Sequence, residues 1–223
     1  MSSMTQSKQH AYDLYVFDWD GTVMDTTGLI ARGIQEAARA LGLKVPALET
    51  ARSVIGLGVE DSMRIVNPDC PREQWGEYAE AYKRWYISRE AKLEVVAGLK
   101  ELLSDMREAG MRLAVATGKS RGGLDRVFAL TGIGDFFEAT ITADETFPKP
   151  NPAMLIDLGE RTFVEPSRML MVGDSVHDLQ LADNAGAAAV GVTWGACSKS
   201  ALQALPHKAI VDTVEELRRV LLG

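Results

Sequence analysis

The chain has 223 residues, of which 46% are hydrophobic and 25% charged, and its net charge is −7. That length suits one sizeable core, or one core with a small inserted domain, and the composition is that of an ordinary soluble globular protein. The acidic balance argues against a nucleic-acid binder, which would carry a basic face, but leaves room for a local basic pocket around a small anion.

The opening "MSSMTQSKQHAYD" has no apolar core of signal-peptide length, and no later stretch approaches the roughly 18 apolar residues of a membrane span. The expectation is a cytoplasmic protein with no membrane partner. Cys70 and Cys197 lie far apart without metal-ligand spacing, so both are expected as free thiols.

The first strand is expected at "YDLYVFD", Tyr12–Asp18. From about Thr26 to Lys92 only helical patterns follow: "GLIARGIQEAARALG", "VEDSMRIV" and "PREQWGEYAEAYKRWYISRE". Beyond them short apolar runs alternate with apolar residues at three-to-four spacing. The runs are Met111–Thr117, Ala139–Thr142, Arg168–Asp174 and Ala187–Val192. The helical patterns are Gly98–Gly110, Arg121–Gly132, Asn151–Phe163 and His177–Gly186, with "TVEELRRVL" as a last amphipathic helix. Three of the helices end at a glycine, which suits a C-terminal cap. Continuous apolar strands alternating with helices imply an α/β fold, a doubly wound Rossmann-like parallel sheet covered on both faces. The helical stretch implies an inserted α-helical cap domain at residues 26–94, with the core made of 1–25 and 95–223 and short hinges near Asp25 and Val95–Gly98.

In such a sheet, ligands bind beyond the carboxyl ends of the strands where strand order reverses. The informative polar residues fall there. The first strand ends at Asp18 and runs into Asp20; the second ends in Thr117-Gly118-Lys119-Ser120; "FPKPNP" holds Lys149 after the third; and "GDSVHD" carries Asp174 and Asp178 after the fourth. Should the first and fourth strands be neighbours, Asp18 and Asp174 converge. Clustered carboxylates at a buried strand end are tolerated when a cation sits among them, and hard oxygen ligands suit Mg²⁺. Thr117 offers a hydroxyl, the Gly118–Lys119 turn offers backbone N–H groups, and Lys149 offers positive charge to a phosphoryl group. A carboxylate can attack phosphorus, and a second can protonate the leaving oxygen and then activate water.

In this order, "DWDGT", the strand-end Thr of "VATGKS", "KPNP" and "GDSVHD" resemble the four motifs of the haloacid dehalogenase superfamily. The helical insert resembles that superfamily's small α-helical cap. "GVTWG" near Trp194 and the closing "VDTVEELRRVL" are similar to the phosphoglycolate phosphatase-like branch. The resemblance covers nearly the whole chain. It implies Asp18 as nucleophile and Asp20 as general acid/base, with Thr117, Gly118 and Lys149 holding the phosphoryl group. Mg²⁺ would be bound by Asp18, Asp174 and the backbone carbonyl of Asp20, with Asp178 orienting Lys149 or a metal-bound water.

The implied activity is a Mg²⁺-dependent phosphatase acting on a small phosphorylated metabolite, phosphoglycolate first, through an aspartyl-phosphate. The alternatives are a sugar-phosphate mutase or a pyrophosphatase on the same core, and, in a different class, a non-catalytic binding protein. Family members that cleave carbon–halogen bonds lack an acid at the position of Asp20, and those that cleave carbon–phosphorus bonds resemble "DWAGT", so Asp20 favours phosphate esters. Three departures from the family pattern are Trp19 for an aliphatic residue, Ala97 for Pro and Gly118 for Asn. Trp19 is expected to narrow the entrance, and Ala97 to loosen the hinge. In the insert, Arg52 of "RSVIGLGVED" is a candidate to meet a second anionic group on the substrate, or else to pair with Glu49 or Asp61. Trp75, Tyr78, Tyr82, Trp85 and Tyr86 are expected to pack the insert, and His177 to be a helix-start residue.

Overall fold

The computed structural model describes residues 10–223. The opening segment 1–9, to which most of the expectation about signal peptides refers, lies outside them. Six strands form one parallel sheet: β1 (Leu14–Phe17), β2 (Leu113–Thr117), β3 (Ala139–Thr142), β4 (Met169–Gly173), β5 (Ala188–Val192) and β6 (Ala209–Val211), in the order β3-β2-β1-β4-β5-β6. β1 lies between β2 and β4, which makes the carboxyl end of β1 the place where strand order reverses.

Strand side chains alternate between the faces. Tyr15, Phe17, Leu113, Val115, Leu170 and Val172 point to one core cluster, while Leu14, Val16, Ala114, Ala116, Met169 and Met171 point to the other. The first face is covered by helices α5 (Leu99–Glu108), α6 (Arg121–Thr131) and α10 (Val214–Leu222), and the second by α7 (Ala153–Thr162), α8 (Val176–Ala185) and α9 (Lys199–Gln203). This two-sided burial is why the strands read as continuous apolar runs rather than as alternating ones. Trp19, just past β1, is fully buried against Phe128 and Phe137, with ring centroids 5.1 and 6.2 Å away. It is a core residue and does not narrow the entrance.

Between β1 and α5 the chain is helical: α1 (Thr27–Ala40), α2 (Leu48–Ser53), α3 (Val59–Val66) and α4 (Trp75–Glu90). These helices have a hydrophobic cluster of their own, in which Ile30, Ile34, Met63, Tyr78 and Tyr86 meet. The Tyr78 hydroxyl donates to the Ile34 carbonyl at 2.6 Å, and burial pushes it up to about 12. The two chain crossings lie side by side: Asp25 N–H donates to the Glu94 carbonyl (3.1 Å), and Val96 N–H to that of Val23 (2.9 Å).

Short elements are where expectation and structure part. β6 has three residues, α2 six and α9 five, all too short to show a period. Cys70 and Cys197 are free, as expected. Among the described residues no helix is long and apolar enough to cross a membrane.

Gly132 and Gly186 end α6 and α8 in the left-handed region, where glycine carries no steric penalty. α7 ends instead on Phe163, at φ 57° and 95% exposed. Its ring buries almost nothing, while its β-carbon carries the cost of that conformation. Phe163→Gly is therefore expected to stabilise the protein by about 0.5–1 kcal/mol, the steric relief exceeding the added freedom of the unfolded chain. Thermal unfolding of the two proteins checks this.

Candidate active site

The carboxyl ends of β1, β2 and β4 and the loop after β3 meet over one point. Asp18 follows β1 directly, its N–H donating to the Val172 carbonyl of β4 at 2.9 Å. Asp174 follows β4, and Asp178 lies in the first turn of α8. One carboxylate oxygen from each of Asp18, Asp174 and Asp178 lies within 4.8 Å of the others, and all three residues are buried.

Lys149 holds this cluster together. It is fully buried, and its ammonium donates to Asp18 Oδ1 (2.6 Å) and Asp178 Oδ1 (2.7 Å). The Lys149–Pro150 peptide is cis. Asp178 is fixed from behind, its Oδ2 accepting from Ser175 N (3.0 Å) and Ser175 Oγ (2.7 Å). These bonds close a capping box on α8, so the side chain that starts the helix also binds the lysine. Asp174 accepts from Thr22 Oγ1 (2.8 Å) and from the Ala196 N–H (2.6 Å). Thr22 closes the "DWDGT" motif without a role assigned to it there, and Ala196 lies outside the motifs, in the "GACS" segment after Trp194.

Burial weighs against every charge here. It pushes the Asp18 carboxyl well above the usual carboxylate range, against the pull of Lys149. It lifts Asp174 up to about 7, with the Asp178 charge adding to the rise. Burial opposes the Lys149 ammonium too, but Asp178 and Asp18 outweigh it and hold the lysine above its ordinary value. With all three ionised, the carboxylates outnumber the one ammonium by two charges in a buried place. A divalent cation fits that excess in charge, and the all-oxygen donor set suits a hard ion.

Thr117 ends β2 and is buried; its Oγ1 accepts the Lys119 N–H at 3.1 Å, so that amide is already engaged and is not free for an anion. Gly118 lies against the insert: a β-carbon there would stand 2.8 Å from the Gly56 carbonyl oxygen. A side chain such as Asn would collide with that backbone. Asp20 is 8% exposed, and the Lys119 ammonium lies 2.9 Å from its Oδ1.

The insert covers the site. Besides Gly56 on Gly118, a β-carbon on Gly58 would stand 3.0 Å from Pro148, and Ser53 O lies 3.2 Å from His177 Nε2. His177 is thus in the first turn of α8 and meets the insert's backbone. Glu90 at the end of α4 pairs with Arg126 of α6 at 2.9 Å. Arg52 meets neither Glu49 nor Asp61: its Nη2 donates to Thr27 Oγ1 (3.2 Å), and its buried Nε has no partner among the described residues. Of the insert's aromatics, Tyr82 and Tyr86 stack on each other (5.7 Å), and Tyr86 also reaches Lys119.

Residues 15–192 match the family model of the haloacid dehalogenase-like hydrolases. Among curated relatives, the chain is 31% identical over 224 residues to a phosphoglycolate phosphatase of Vibrio vulnificus, covering 96% of this chain and 98% of that one. It is 29% identical over 210 residues to the pyrophosphatase PpaX of Bacillus velezensis, covering 92% and 94%. The crystal structure of a hydrolase from Pseudomonas syringae superposes with a TM-score of 0.85 at 19% identity, covering 94% of this chain and 97% of that one. The chain belongs to the haloacid dehalogenase-like hydrolase family. Within it the chain is similar to the phosphoglycolate phosphatase-like branch, and it is a hydrolase of the phosphatase class.

The raised carboxyls set a pH dependence. In the folded, cation-free protein Asp174 keeps its proton up to about 7, whereas in the unfolded chain it would lose it near pH ~4. The folded state then binds more protons, so cation-free stability falls as pH rises through that window. A cation must displace the proton below the window's upper edge but not above it. Adding a divalent cation is therefore expected to raise the melting temperature more at pH 8 than at pH 6, read by thermal unfolding with and without EDTA.

Proposed function

We propose that the protein is a Mg²⁺-dependent phosphatase that hydrolyses a small phosphorylated metabolite, phosphoglycolate first, through an aspartyl-phosphate on Asp18. The observation that carries this reading is the buried trio Asp18, Asp174 and Asp178 around the single ammonium of Lys149 at the switch point of the sheet. Mg²⁺ held by Asp18, Asp174 and the Asp20 backbone carbonyl would supply charge to offset the phosphoryl oxygens.

Lys149 engages Asp18 Oδ1, which leaves Oδ2 to form the bond to phosphorus. As that bond forms, the ester P–O bond breaks, and Asp20 gives a proton to the leaving oxygen. Asp20 then takes a proton from a water whose oxygen attacks phosphorus, the bond to Asp18 breaks, and phosphate leaves with Asp18 regenerated. Thr117, Gly118 and Lys149 would hold the phosphoryl group in line, and Asp178 keeps Lys149 aimed. Residues 26–94 act as a cap that opens to admit substrate and water and closes to exclude bulk solvent.

Phosphate release should be measured with Mg²⁺ on phosphoglycolate, pyrophosphate, several sugar phosphates and nucleoside monophosphates. Release is expected to vanish in EDTA and in Asp18→Asn, a loss of at least about 10³-fold. Release that survives Asp18→Asn would sink the covalent reading.

Arg52 supports a substrate with a second negative charge, because among the described residues its guanidinium has only the neutral Thr27 hydroxyl as partner. A charge-assisted hydrogen bond to a carboxylate contributes about 1.5–3 kcal/mol, so Arg52→Met should lower kcat/KM for phosphoglycolate by about 10–100-fold. Its effect on 2-hydroxyethyl phosphate, which lacks the carboxylate, should be small. Equal losses on both substrates would assign Arg52 to packing.

A further inference from the structure

The Lys119 side chain is clamped between the sheet end and the insert. The residue follows β2 and is held at both ends. Its backbone N–H donates to Thr117 Oγ1, and its ammonium lies 2.9 Å from Asp20 Oδ1 and 3.3 Å from the Tyr86 hydroxyl. The same ammonium is 4.9 Å from the centroid of the Tyr86 ring, at its hydroxyl end. Both charged side chains are about one-tenth exposed.

Asp20 Oδ1 is buried and has no hydrogen bond among the described residues; the ammonium beside it is off the hydrogen-bonding direction. A buried carboxylate oxygen with one charged neighbour depends on that neighbour for both its energy and its direction. Tyr86 belongs to α4 of the insert, while Asp20 and Lys119 belong to the sheet end. Lys119 is therefore the polar link between α4 and Asp20. The Tyr86 hydroxyl gives the ammonium an acceptor on the insert side.

We propose that Lys119, clamped between the Asp20 carboxylate and Tyr86 of α4, is a positioning residue that aims Asp20 at the leaving oxygen, and that it does so only while α4 lies over the site. The proposal rests on the reading of Asp20 as general acid. With Oδ1 against the ammonium, Oδ2 is the oxygen left to carry the proton. When α4 moves away, Lys119 loses the hydroxyl, and Asp20 loses its fixed direction. Placement of the acid and coverage of the site thus become one event.

The test compares two phosphate monoesters that differ in their need for a proton on the leaving oxygen, a primary alkyl phosphate and p-nitrophenyl phosphate. Since kcat/KM reports the steps through the first bond cleavage, it isolates the acid's part from later hydrolysis. General acid catalysis contributes about 10²–10⁴-fold, so misdirecting the acid in Lys119→Met should cost at least about tenfold in kcat/KM on the alkyl ester. The loss on p-nitrophenyl phosphate, whose leaving group departs without a proton, should stay under about threefold.

Lys119→Arg should restore most of the alkyl activity, and Tyr86→Ala should show the same selective loss in milder form. Equal losses on both esters, or none on either, in folded Lys119→Met would overturn the proposal. Should Lys119→Met fail to fold, Tyr86→Ala decides by the same comparison. Asp20→Asn separates this failure from that of the underlying reading. If it spares the alkyl ester, Asp20 is not the acid; if it abolishes alkyl turnover while the Lys119 variant does not discriminate, only the clamp is wrong.

Discussion

A fully buried ammonium between two buried carboxylates is the constraint on which the site is built. Lys149 cannot leave Asp18 and Asp178 without stranding a charge in a place that water does not reach, and breaking such a pair from one side costs about 3–5 kcal/mol. The pair ties the loop after β3 to the ends of β1 and α8, three pieces distant in the chain. Asp178 has a second duty as the acidic partner of the Ser175 capping box, so the helix start and the lysine share one carboxylate. The carboxylate trio is then held in register by the sheet itself.

The insert adds a second layer that contacts the site without supplying its charges. Its backbone approaches at Gly56 and Gly58, where the absence of a side chain lets the loop rest on Gly118 and Pro148. Its side chains approach at the edges: Tyr86 on Lys119 and Glu90 on Arg126. A core that carries the chemistry and a cover that meets it through a few polar contacts allow substrate preference to vary with little change to the reacting groups.

The parts legible in the sequence were those with a periodic or positional signal. Asp18 and Asp174 stood out because buried apolar runs stopped at an acid, and α3 and α4 stood out through their apolar spacing. Trp19 keeps the alternation of Tyr15 and Phe17 and joins their face of the core against Phe128 and Phe137; its position between two site aspartates is what masks that signal in the sequence. The sequence shows Lys119 only as part of a turn, since nothing along the chain links residues 20, 86 and 119. Its place emerges only when an insert helix and two strand ends are brought together in space.

The adjacent crossings at Asp25–Glu94 and Val23–Val96 also bear on how the sheet is reached during folding. β1 and β2 pair in parallel through Tyr15 and Leu113, nearly a hundred positions apart along the chain. Closing so long a loop costs entropy, and the cost grows with the logarithm of its length. Once residues 25 and 94 are joined, the insert drops out of that loop, and β2 has only about thirty residues to bring back to β1. The entropy cost of closure falls by about 1 kcal/mol. The helical insert interrupts the sheet's sequence while adding little to the distance its strands must search.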